Sequence, residues 1–135
     1  MIYAFCLSTL LMGAATLPSQ ELLSLHNAER VRHKLPLLII DLRLQAAAQK
    51  HASAMALAKK ISHDRWVEGI RAVGYHGSSM SQNVALGQLN AKAVTKAWMR
   101  SPSHKQNILG DYQYVGFGVV RAGGRLWWCA NFGRP

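Results

Sequence analysis

Two apolar runs near the C-terminus constrain this chain more than anything else in it. Residues 112–120 and 125–132 are rich in strand-forming side chains and are apolar at consecutive positions rather than alternate ones. A strand with one wet face alternates, whereas one that is apolar on both sides must be covered on both sides. Arg121-Ala122-Gly123-Gly124 between the runs supplies the turn of a hairpin. The chain therefore has to provide helices for both faces of a small sheet.

The upstream sequence provides them. Leu22, Leu25, Ala28, Val31 and Leu35 recur at helical steps and predict a first helix closed by Pro36. Asp41 is a good N-cap for an alanine-rich helix over 42–60, with Leu44, Ala48, His51, Met55 and Ala58 on one face and Arg43, Gln45, Gln49 and Lys50 turned to water. A loop carrying Ser62-His63-Asp64 leads to a short helix over 66–73, stopped by Gly74. Residues 80–86 read as a strand between Gly77 and Gly87, and Asn90 caps a further helix over 91–100 that Pro102 ends. The expected architecture is α+β, a three-layer α-β-α sandwich with a small antiparallel sheet between helices.

With 135 residues there is room for one domain, and half of the chain is apolar, which excludes a disordered polymer. No charge occurs in the first twenty residues, and 2–12 form an apolar run too short to span a bilayer. Residues 1–15 are read as a signal peptide cut after Ala15, and 16–135 as the single mature domain, secreted or periplasmic. Such a cut removes Cys6 and leaves Cys129 alone in an apolar setting, the position of a small buried hydrophobe rather than a reactive thiol. Sixteen Lys and Arg against six Asp and Glu give a net charge of +10, which favours acidic partners: envelope polymers, anionic lipid surfaces or nucleic acid. No nucleic-acid module accompanies the charge, so nucleic acid ranks last.

Six short motifs occur in order: His26-Asn27-x-x-Arg30, Ala47-Ala48-x-x-His51-Ala52-x-x-Met55, Ser62-His63, Gln82-Asn83-Val84-Ala85-x-Gly87, Trp98-Met99-x-Ser101-Pro102-x-His104-x-x-Asn107-Ile108-Leu109 and Tyr114-Val115-Gly116-Phe117-Gly118. Together they resemble the CAP superfamily of SCP-like extracellular proteins in its compact bacterial form, over about residues 21–133. The resemblance implies secretion, an α-β-α sandwich and a cleft lined by two histidines and acidic residues, which in some members holds a divalent metal. Carried over, the cleft residues are His63, Gln82 and His104, with His63 and His104 as the candidate ligands of a metal such as zinc. Similar members have glutamate where this chain has Gln82, and a second acid follows the tryptophan equivalent to Trp98, where this chain offers Ser101.

That departure decides the chemistry. A catalytic zinc site has three protein ligands plus water, and two imidazoles fall one short. Gln82 can hydrogen-bond to a ring nitrogen but cannot accept a proton, so acid-base work would need Asp64, Glu68 or Asp111 in its place. No Ser-His-Asp order, Cys-His pair, HExxH helix or phosphate loop appears in the sequence. Binding therefore outranks catalysis, no cofactor is required, and a metal-dependent hydrolase using His63 and His104 is the alternative. His26 and His51 are read as core or capping residues, and Trp98, Trp127 and Trp128 as core. Lys92, Lys96 and Arg100 stand at four-residue steps, followed by Lys105 next to His104. Like charges at this spacing cost a helix a few tenths of a kcal/mol per pair, so helix stability does not account for the stripe. A solvated face is the plain reading of it, and the alternative is a landing surface for an anionic envelope polymer or a lipid surface beside the cleft.

Overall fold

The computed structural model describes residues 17–135, so the expected signal peptide lies outside the described residues. Among these described residues, five helices and four strands follow in the order α1 (Pro18–Arg32), β1 (Ile39–Ile40), α2 (Leu42–Ala58), α3 (Trp66–Ala72), β2 (Ser79–Leu86), α4 (Ala91–Met99), α5 (Pro102–Ile108), β3 (Tyr114–Ala122) and β4 (Arg125–Arg134). The sheet runs β1-β3-β4-β2. β3 and β4 form the expected hairpin, and β2 pairs antiparallel with β4 along its whole length, Gln82 opposite Asn131.

One layer is α1, α4 and α5 over a core of Leu22, Trp98, Ile108, Phe117, Trp128 and Phe132. The other is α2 and α3, with Ala48, Ala52, Met55, Trp127 and Cys129 in one cluster and Leu44, Ile70 and Tyr75 in a second. Successive residues of β4, Trp127 and Trp128, thus belong to opposite layers, which is why its apolar run does not alternate. Gly116 and Gly118 let α2 lie directly on β3. A Cβ at 116 would stand 2.0 Å from the Gln45 nitrogen, and one at 118 would stand 2.4 Å from the Ala48 carbonyl.

Four expectations need correction. The sheet is mixed and not purely antiparallel, because β1 pairs parallel with β3. β1 is two residues long and is held by the Asn27 amide, which bonds both the carbonyl and the nitrogen of Leu38. The buried face of α1 is Leu22, His26 and Arg30, with Val31 exposed, and the helix stops at Arg32, short of Pro36. Gln49, expected to face water only, donates to the Val119 carbonyl and accepts from the Val119 nitrogen, both at 3.0 Å, closing the edge of β3 that β1 is too short to reach. Pro102 ends α4 and also opens α5, because proline lacks only an N–H that the first turn of a helix leaves free.

Candidate functional site

β2 is an edge strand, and neighbouring residues on it face opposite layers. Gln82 turns to the α2 side and Asn83 to the α5 side. The site straddles this edge, with one histidine arriving from each layer.

His63 comes from the loop after α2. The helix closes at Lys59, whose left-handed backbone (φ 54°) lets the Lys60 nitrogen reach back to the Met55 carbonyl. His51 then ties the loop down, its Nε2 donating to the Ser62 carbonyl at 2.7 Å. His63 is exposed, and its Nδ1 lies 2.8 Å from Gln82 Oε1. Gln82 Nε2 donates in turn to Asn131 Oδ1 at 2.9 Å.

His104 rides on α5, which is strapped to β2 by two asparagines. Asn83 Nδ2 donates to the His104 carbonyl at 3.1 Å, while Asn83 Oδ1 accepts from Asn107 Nδ2 at 2.8 Å. The His104 imidazole is half-buried, and its pKa lies below the ordinary histidine value, first because of burial and second because of charge on His63. The fold therefore brings His63, Gln82 and His104 to one strand edge. Of the three, Gln82 alone lines the hollow of about 390 Å³ beside them, with Asn131 as a second polar wall and Met55 and Trp66 as apolar ones; Lys50 and Arg65 also line it.

Of the acids weighed as stand-ins for the missing carboxylate, Asp64 alone lines the hollow beside Gln82. Asp111 is paired with Arg134, and neither Asp64 nor Glu68 bonds to an imidazole. Ser101 precedes α5 without a side-chain capping bond. Lys92, Lys96, Arg100 and Lys105 are exposed, and among the described residues none of them enters an ion pair. Lys92, Lys96 and Arg100 lie away from the buried side of α4, made of Ala91, Val94, Thr95 and Trp98, and the stripe ends at the turn from which α5 carries His104 and Lys105.

Trp98, Trp127 and Trp128 donate their indole N–H to the carbonyls of Val84, Ala122 and Gln88, and are core residues. Cys129 is buried, and burial pushes its thiol pKa up. The residue that sequence reasoning passed over is Asn131. Its one signal is a polar amide inside the apolar run 126–132, which on a doubly covered strand must have a buried partner.

A sequence model of the CAP family, described as the cysteine-rich secretory protein family, matches residues 23–132. The chain belongs to this family. An uncharacterized Bacillus subtilis protein, YkwD, is 30% identical over 110 residues, covering 77% of this CAP chain and 43% of the relative. Among solved structures, an extracellular SCP-domain protein of Bacillus anthracis matches with a TM-score of 0.82 and 25% identity, over 87% of this chain and 40% of the other. An outer surface protein of Borrelia burgdorferi matches at 0.77 and 23% identity, over 84% and 89% of the two chains, and supports the fold alone. This CAP chain thus spans well under half the length of the two Bacillus relatives. Among its described residues no helix is long and apolar enough to cross a membrane.

The family resemblance raises the question of a metal, and the donor set answers it poorly. Gln82 Oε1 is engaged by His63, and among the described residues no three His, Cys, Asp or Glu side chains come together. Two imidazoles beside a carboxamide do not fit a resident zinc ion.

Proposed function

We propose that this CAP domain is a secreted, non-enzymatic binder of an acidic or amphipathic cell-envelope component, engaged through its basic face and the two-histidine edge of β2. The observation that carries this reading is the set of four exposed cations along α4, its C-cap and α5, without ion-pair partners among the described residues and ending beside His104, where Gln82 stands in place of a carboxylate. Cations in that state hold a diffuse positive potential that draws in a polyanion and costs nothing to uncouple from internal partners. The imidazoles then add short-range contacts where α5 meets the strand. Extracellular relatives support a location where such polymers occur.

The hydrolase alternative lacks the third protein ligand of a catalytic zinc site, and Gln82 cannot take up a proton at neutral pH. Binding to isolated envelopes and to anionic liposomes, followed against ionic strength, tests the proposal. Affinity should fall steeply as salt rises and fall again when Lys92, Lys96, Arg100 and Lys105 are all changed to Gln. Binding that ignores both salt and the substitutions would refute it.

A further inference from the structure

The amides beneath His63 form a chain whose direction is set at its far end. The Leu44 carbonyl can only accept, so Asn131 turns Nδ2 towards it, at 3.3 Å. Asn131 Oδ1 is then the acceptor for Gln82 Nε2, and the Cys129 thiol points at the same oxygen from 3.7 Å. Gln82 is left with Oε1, which carries no hydrogen, facing His63. The 2.8 Å approach of His63 Nδ1 is therefore a hydrogen bond only when Nδ1 bears the proton. A neutral imidazole has one N–H, so Nε2 keeps its lone pair. Turning Asn131 over would set donor against donor between it and Gln82, and turning Gln82 over would set acceptor against acceptor; both amides are buried.

We propose that Asn131, acting through Gln82, is a positioning residue that holds His63 in its Nδ1–H tautomer and makes Nε2 a fixed acceptor at the edge of β2. The ligand group that fits such an acceptor is a hydrogen-bond donor, a hydroxyl above all, while the cations of α4 and α5 take the anionic part. A hydroxylated polyanion is thus the ligand class; this second statement rests on the binding function proposed above, and the tautomer does not. His51 provides an internal reference, because its Nε2 faces the Ser62 carbonyl and must carry the proton there.

Long-range nitrogen–proton spectra of the labelled chain, taken where the histidines are neutral, read each tautomer directly. His63 should show Nδ1–H alone and His51 Nε2–H alone. In Asn131→Ala, and in Gln82→Met should the first variant fail to fold, His63 should relax to a mixture while His51 stays unchanged. A purely structural role for the two amides would lower the melting temperature and leave the His63 tautomer as it was. A wild-type His63 that is Nε2–H or mixed overturns the proposal, as does an unchanged tautomer in a folded variant. For the ligand class, poly(glycerol phosphate) should bind about fivefold tighter than inorganic polyphosphate, the worth of one hydrogen bond, and Gln82→Met should erase the difference. Equal affinities with the tautomer intact overturn the ligand class and leave the relay standing, whereas failure of both polymers to bind removes the proposed function.

Discussion

The interior of α1 and the edge of β2 both bury polar side chains, yet they end in different places. Around α1 the groups are consumed inside the protein. Arg30 is buried, and its guanidinium donates to the carbonyls of Pro36, Ile108, Gly110 and Tyr112, gathering the end of α5 and the chain beyond it without any carboxylate. His26 is fully buried against Trp98 and Phe117, its Nδ1 donating to the Leu22 carbonyl at 2.8 Å and its Nε2 sealed without a partner among the described residues. At β2 the chain Leu44, Asn131, Gln82 ends instead on the exposed ring of His63. What separates a structural histidine from a candidate binding one in this fold is the valence left over towards water, not the residue type.

Removing an interior anchor tests the comparison most severely. Arg30→Met strips the donors from four carbonyls and should cost about 3–5 kcal/mol in denaturant unfolding; a loss below about 1 kcal/mol would mean those carbonyls find water. Acid should reveal His26 next. Burial lowers its folded pKa to about 4, below the 6.5 of the unfolded chain, so the unfolded state takes the proton first. Its contribution is intact above 6.5, shrinks as the pH falls and levels out below about 4, a loss on the order of 3 kcal/mol. His26→Phe keeps the aromatic contacts, and its unfolding free energy should fall less between pH 7 and 4 than that of wild type. Matching slopes would contradict the sealed, neutral imidazole.

The edge of β2 should answer to chemistry more than to stability. Gln82→Glu places a carboxylate beside His63, and calorimetry should register zinc affinity at least about tenfold above wild type, a gain that His104→Ala cancels. Unchanged uptake would show that the two rings do not face a common ligand. The smallest expected effect is that of His63→Ala on unfolding, within about 0.5 kcal/mol, because the ring is exposed and water replaces it on Gln82. A cost of more than about 2 kcal/mol would place His63 with His26 among the structural residues.

These differences also explain what the sequence could and could not convey. α2 was legible because its cap, Asp41, and the buried residues Leu44, Ala48 and Met55 follow local rules, although Ala58 is exposed and Ala47 and Ala52 are buried in addition; the hairpin was legible because its turn and doubly apolar strands are local as well. The face of α1 was not, since its buried positions include His26 and Arg30, and polarity there points a periodic reading to the wrong side. β1 and α5 are too short to carry a period of their own; the parallel pairing of β1 depends on Asn27, a contact made across the chain. At the site, the motifs point to His63, Gln82 and His104. Asn131 stayed hidden because its role exists only through the register that sets it opposite Gln82.

Histidine-resolved NMR during a titration with poly(glycerol phosphate) puts the central claim to the most direct test. The account predicts that the ring signals of His63 and His104 move together and saturate at one polymer concentration, while those of His26 and His51 stay in place. Movement of His63 without His104, or of the interior rings in preference to both, would contradict a single binding edge built on β2.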